Sequence, residues 1–195
     1  LRIGPPHGTI FHNRGNAWRG KSDYARAISD YSEAIRLMPK DAFSHQNRGA
    51  SKLALGDLDG ALADINDAIR FDPALPSPLI NRAVIWRTKG DNERAIADFD
   101  NAIKLDAKNA VAYNNRGFAF RNAGDADRAI QDFGEAIKIN PNYTLAVFNR
   151  AKTYYEKRDM DRAIKDFDAV IKLEANFAAA YNGRGVARDS KNEFD

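Results

Sequence analysis

The chain repeats itself every 34 residues, and that period limits what it can fold into. The tripeptide Asn13-Arg14-Gly15 returns as Asn47-Arg48-Gly49, Asn81-Arg82-Ala83, Asn115-Arg116-Gly117, Asn149-Arg150-Ala151 and Gly183-Arg184-Gly185, with no insertion or deletion between copies. Units therefore run 8–41, 42–75, 76–109, 110–143 and 144–177, with a partial unit at 178–195 and a leader at 1–7. A unit of this size cannot bury its apolar face alone, whereas stacked copies can.

Each complete unit holds two helix-length segments. The first ends near Ser22, Gly56, Gly90, Gly124 or Arg158. Gly at three of these five places suits the positive φ that closes a helix. An Asp follows each time (Asp23, Asp57, Asp91, Asp125, Asp159), placed to cap the second segment. That segment carries apolar residues at helical spacing, as in Ala129, Ile130, Phe133, Ala136, Ile137 and Ile139 of the fourth unit. Ala27, Ala61, Ala95, Ala129 and Ala163 share one place, where two helices must approach closely. Pro39, Pro73 and Pro141 end the second segment, because proline cannot extend a helix. Ala107 and Ala175 stand there in units three and five, which weakens the stop signal.

These features resemble the tetratricopeptide repeat family, whose 34-residue pattern runs aromatic, Leu-Gly, Tyr, then Ala, Phe and Pro. The fourth unit shows Tyr113, Arg116-Gly117, Phe120, Ala129, Phe133, Ala136 and Pro141. Arg replaces the pattern's Leu in every unit, and Lys52 and Arg188 replace an aromatic in units two and six. The resemblance covers residues 8–195. It implies an all-α fold, a right-handed α-solenoid of stacked helix-turn-helix hairpins. First helices would line the concave side of this superhelix and second helices the convex side. Such arrays end in a polar capping element. The chain stops at Asn192-Glu193-Phe194-Asp195, where the second helix of the sixth unit is due. The expectation is a truncated piece whose raw end frays or packs on another copy.

Sixteen residues after each repeated Arg lies an Asp: Asp30, Asp64, Asp98, Asp132 and Asp166. A guanidinium pairs bidentately with a carboxylate, so an ion pair is expected inside each hairpin or across to the next. Its role is scaffolding.

The Asn before each Arg is the functional candidate. By the resemblance, Asn13, Asn47, Asn81, Asn115 and Asn149 form a stripe facing the groove. A carboxamide offers both a donor and an acceptor, enough to hold the backbone of an extended peptide. The second, fifth, ninth, twelfth and thirteenth places of each unit would add specificity. They supply His12, Asn16, Arg19 and Gln46 early in the chain. Later they supply Ile80, Val84, Phe118 and Phe148 as apolar anchors, with Arg87, Arg121, Asn114 and Lys152 among them. Glu156 and Asp189 fall on the same face. The expected function is a non-catalytic protein–protein interaction scaffold with a peptide-binding groove. Its ligand would be a peptide or flexible partner segment carrying apolar and acidic residues. Two alternatives stay open: self-association through the uncapped C-terminal end, and a docking or regulatory part of a larger enzyme. A tetratricopeptide subtype clamps a C-terminal carboxylate with Lys/Asn/Asn/Lys/Arg. Here those places read His12, Asn16, Asn47, Ser77 and Asn81, so its three cations are missing and that specificity is not expected.

Nothing points to catalysis. Residues 15–22 match the phosphate-loop pattern GxxxxGK[ST], but that chemistry needs a strand before the loop and a helix after it. The repeat register itself supplies Gly15 and Trp18. His7, His12 and His45 show no metal-binding spacing, no GxSxG occurs, and the absence of cysteine removes thiol chemistry. No catalytic residue, metal or cofactor is expected. Thirty basic against 27 acidic residues leave +3, and the charges interleave, so no nucleic-acid partner is expected. No apolar run nears the ~18 residues of a membrane span, so no membrane partner is expected either. The compartment stays unassigned, with cytoplasm as the default and periplasm as the alternative.

Overall fold

A computed structural model of the chain describes residues 7–192, which contain eleven helices and no strand. Residues 1–6 of the expected leader and 193–195 of the expected raw end lie outside the described residues. Three hairpins form a first compact unit: α1 (Gly8–Gly20) with α2 (Tyr24–Leu37), α3 (Ala42–Ala54) with α4 (Leu58–Phe71), and α5 (Pro76–Thr88) with α6 (Asn92–Leu105). A second compact unit holds α7 (Ala110–Asn122) with α8 (Ala126–Ile139), α9 (Thr144–Glu156) with α10 (Met160–Leu173), and α11 (Ala178–Asn192).

Local chemistry sets the helix ends. Each predicted Asp caps a second helix by accepting the N–H three residues on, at 3.1 Å from Asp23 to Arg26 and 2.9 Å from Asp91 to Arg94. Asp57, Asp125 and Asp159 do the same for α4, α8 and α10. The hairpin turn needs positive φ at all five places, including Ser22 (58°) and Arg158 (62°), where no glycine stands. Helix α6 ends where its proline-bearing counterparts do, although Ala107 replaces the proline. Asp106 supplies the stop: its Oδ1 accepts the Lys108 N–H at 3.1 Å, a side-chain turn that competes with the helix. Asp72 and Asn140 make the same turn after α4 and α8. After α10 the Phe177 N–H donates to the Glu174 carbonyl, a backbone turn.

Within each compact unit the core is a column of small and large residues in alternation. The five shared alanines, Ala27, Ala61, Ala95, Ala129 and Ala163, are fully buried. Four residues on, Tyr31, Ile65, Phe99, Phe133 and Phe167 fill the space between the two helices of each hairpin. Burying one such side chain contributes about 1.5–3 kcal/mol. Phe133 lies against Gly117 of its own hairpin, so closely that a Cβ there would come within 2.9 Å of the ring.

A polar lattice runs through each compact unit. The repeated Arg of each complete unit forks onto its Asp within the hairpin, for example Arg82 Nε and Nη2 onto Asp98 at 2.8 and 2.7 Å. Arg14–Asp30, Arg48–Asp64, Arg116–Asp132 and Arg150–Asp166 repeat the geometry. In units two and three the remaining guanidinium nitrogen, Nη1, reaches back to the second helix of the preceding hairpin. Arg48 donates from it to Ser32 at 3.1 Å and Arg82 to Asn66 at 2.9 Å. Arg184 of α11 does the same to Asp168 at 2.6 Å. Neighbouring hairpins are also tied by Lys89–Asp59, Lys157–Asp127 and Lys191–Asp161.

A second repeated device sits at the turn. The Arg three residues after the capping Asp bonds that Asp and covers the aromatic of the first helix. Arg26 lies 3.9 Å from the Trp18 ring centre and Arg94 3.8 Å from that of Trp86. Arg128 covers Phe120 and Arg162 covers Tyr154 in the same way. Unit two lacks both partners, having Lys52 for the aromatic and Gly60 for the Arg. Lys52 turns inward instead and pairs with Asp64 at 2.9 Å, alongside Arg48.

Candidate functional site

First helices of successive hairpins touch directly, α1 with α3 and α3 with α5, then α7 with α9 and α9 with α11. No such contact joins α2 to α4 or α8 to α10 among the described residues. The first helices therefore line the inner, concave side of each compact unit. The sequence-predicted site residues divide between that surface and the packing beneath it.

In the first unit, Asn13 is exposed on α1, while Asn81, Ile80, Val84 and Arg87 are half-buried on α5. Burial holds the Arg87 guanidinium below its usual range. Asn47 on α3 is only 8% exposed, and its Nδ2 donates to Asn16 Oδ1 at 3.0 Å. The same oxygen accepts the Tyr31 hydroxyl at 2.7 Å. In the second unit, Asn149 Nδ2 donates to Asn114 Oδ1 at 3.0 Å, and Asn115 Nδ2 donates to the Val111 carbonyl of its own helix at 2.9 Å. The asparagines at 47 and 149 thus bridge hairpins, with one face of the carboxamide engaged by the protein.

Phe118, Arg121 and Phe148 are half-buried on α7 and α9. The Arg121 guanidinium lies 4.6 Å from the Phe118 ring centre, and its Nη1 is buried with no hydrogen-bond acceptor. Phe148 leans on Phe167 and Phe177, with ring centres 5.9 and 4.9 Å away, so half of it belongs to the core.

Sequence reading singled out the second place of each unit but named only Ser77 there, in the third unit. The structure puts three exposed apolar side chains at it: Phe43 (51% exposed), Val111 (48%) and Leu145 (51%). Val186, at the ninth place of the last unit, is also exposed, on α11. Three apolar residues at one register place is the signal that would have found them.

The enzyme-like patterns dissolve into scaffold. Residues Gly15–Gly20 form the second half of α1, so no glycine loop is present to wrap a phosphate. His12, Ser44 and Asp41 do come together, with His12 Nδ1 2.8 Å from Ser44 Oγ. That hydroxyl donates to Asp41, the cap of α3, and Ser44 is fully buried. A substrate cannot reach it. Among the described residues no helix is long and apolar enough to cross a membrane.

Comparison with known proteins agrees with this geometry. Tetratricopeptide repeat profiles match residues 12–76 and 148–195, and another matches 110–143. A TPR repeat profile matches 85–124. No curated protein matches the chain. Among solved structures, MamA superposes with a TM-score of 0.72 at 23% identity, over 88% of this chain and 94% of its own. YrrB, described as a TPR protein with an unusual peptide-binding site, gives 0.71 at 18% identity, over 90% of each chain. The thermophilic TPR protein TTC0263 of Thermus thermophilus gives 0.75 at 16% identity, over 92% of this chain and 98% of its own.

Proposed function

The chain belongs to the tetratricopeptide repeat family, whose profile matches more than half of it, and on that premise we propose that it is a non-catalytic scaffold holding an extended peptide segment of a partner protein. The ligand lies on the concave face of a compact unit. The observation that carries this reading is the exposed apolar pair Val111 and Leu145 on the inner helices of the second unit, with Phe43 at the same register place in the first. Exposed apolar area grouped on one concave surface marks interaction sites, whereas scattered single residues do not. The half-used asparagine at 149, on the same helix as Leu145, adds an acceptor suited to a backbone N–H group. The peptide-binding site ascribed to YrrB, which shares the fold, supports the same direction.

The test is a titration of the whole chain against an array of extended peptides, read by fluorescence anisotropy. Peptides that bind should lose affinity on Val111→Asp/Leu145→Asp. They should keep it on Leu173→Asp, an exposed residue at the end of a second helix. Equal losses from both variants, or binding that ignores the first, would sink the concave-face reading.

A further inference from the structure

The last hairpin junction departs from the repeat at a place that bears on a core side chain. Position 183 is Gly where five units have Asn, whereas the Ala at 151 is shared with Ala83 of the third unit. Phe133 rests on Gly117. Phe167, its counterpart one unit later, packs beside Phe148 of its own hairpin and also reaches the next helix. A Cβ added at Gly183 would lie 2.5 Å from Phe167 Cζ. An Asn at 183, as in the other units, would meet this ring.

Beside that ring a cavity of about 330 Å³ opens on the concave side, between α9 and α11. Phe167 forms its floor, Phe148 and Tyr155 one wall, Gly183 and Val186 the other. At ~30 Å³ per water the cavity has room for roughly ten waters or one large side chain. Among the described residues Lys152 is the sole charged one that lines it. A second cation stands one repeat back. Arg121 occupies the register place of Arg19, which shares a depression with Ala50, the counterpart of Lys152. Arg121 is also the residue whose buried Nη1 lacks an acceptor. Glu156 lies one turn beyond Lys152 on α9.

We propose that this cavity takes a single aromatic or branched apolar side chain of a peptide whose adjacent residue is acidic, with the carboxylate over Lys152 on the Arg121 side. The inference rests on the peptide-holding reading above and names the ligand chemistry at one subsite. The apolar walls select the anchor, and the two cations on one flank select its neighbour's charge.

Three small probes test it by ¹H–¹⁵N NMR titration of the whole chain: 3-phenylpropanoate, 3-phenylpropylamine and propanoate. 3-Phenylpropanoate should shift the amides of Lys152, Gly183 and Val186, and bind about threefold tighter than the amine, as suits an exposed charge contact. Propanoate should shift none of them. Gly183→Asn should weaken the phenyl probe about tenfold or more. Should that variant lose its helical circular dichroism, Val186→Lys at the exposed rim takes its place, with the same expected loss. Lys152→Glu should reverse the preference between acid and amine while phenyl binding persists. Shifts confined to other residues, an unaltered titration in a folded rim variant, or no charge reversal would overturn the proposal. Peptides held by the concave face while phenyl probes ignore the cavity would overturn this subsite alone. Phenyl probes bound with no peptide held would overturn the scaffold reading alone.

Discussion

Arg150 holds Asp166 through two hydrogen bonds, 2.7 Å from Nε and 2.9 Å from Nη2, while its Nη1 faces Gly134 of the preceding hairpin, which has no side chain to accept it. Arg48, Arg82 and Arg184 each find an acceptor at that place, in Ser32, Asn66 and Asp168. Asp166 is 6% exposed, so its charge depends on this one guanidinium. Hydrogen bonding to Asp166 in turn raises the pKa of Arg150.

Arg150→Ala should therefore cost about 2–3 kcal/mol, somewhat below the full penalty for a buried charge because the guanidinium edge reaches water. Urea denaturation followed by circular dichroism measures it. Replacing both partners, Arg150→Leu/Asp166→Leu, should recover most of the loss. A single variant with an unchanged midpoint would show that the pair is not a support.

Gly134→Asn should stabilise the chain by about 1 kcal/mol. It removes a glycine from mid-helix and offers Arg150 the acceptor that Asn66 offers Arg82. Gly134→Ala separates the two effects, since alanine is the better helix former but accepts nothing. Asn should match or exceed Ala, and its advantage should vanish in an Arg150→Ala background.

Ser22 sits at φ 58°. A side chain there costs about 1 kcal/mol that glycine avoids, so Ser22→Gly should raise the thermal midpoint. Gly90→Ala, at φ 84°, should lower it by a similar amount.

Acid should unfold the protein through its carboxylates. The Arg128 N–H, and then its guanidinium, hold Asp125 below the usual carboxylate range. Burial pushes Asp64 upward, but hydrogen bonds from Arg48 and Lys52 outweigh it and the net shift is down. A folded pKa below the unfolded value adds stability above the unfolded pKa, and that stability is lost as pH falls through the folded one. The thermal midpoint should hold level above about pH 5 and fall below about pH 4. Asp125→Asn keeps a capping oxygen without the titration, so its midpoint should fall less steeply in acid.

The 34-residue register made the hairpins, the Asp caps and the Arg–Asp pairing legible, because each is the same local chemistry written several times. The turn at Ser22 and Arg158 was legible only by analogy with its glycine-bearing copies. The end of α6 was less so, since Asp106 stops that helix by a side-chain turn and not by proline. The site was the least legible part. Asn47 and Asn16 are 31 residues apart in sequence, and only the stacking angle decides that their carboxamides meet each other. Gly183, which lines the cavity, departs from the pattern, and reading a repeat for what its copies share hides what one copy lacks.

The back-reaching arginines have a consequence for how such a chain grows. Each finds its partner 16 residues earlier and, in a complete unit, forks onto another 16 residues later, as Arg82 does with Asn66 and Asp98. Copying or excising 34 residues at any point in a gene preserves both offsets. Every surviving arginine would then still meet a residue drawn from the same two columns. Length becomes a quantity that slippage in replication can change in whole steps, and only a position such as Gly134, where a column is empty, records that a copy has since gone its own way.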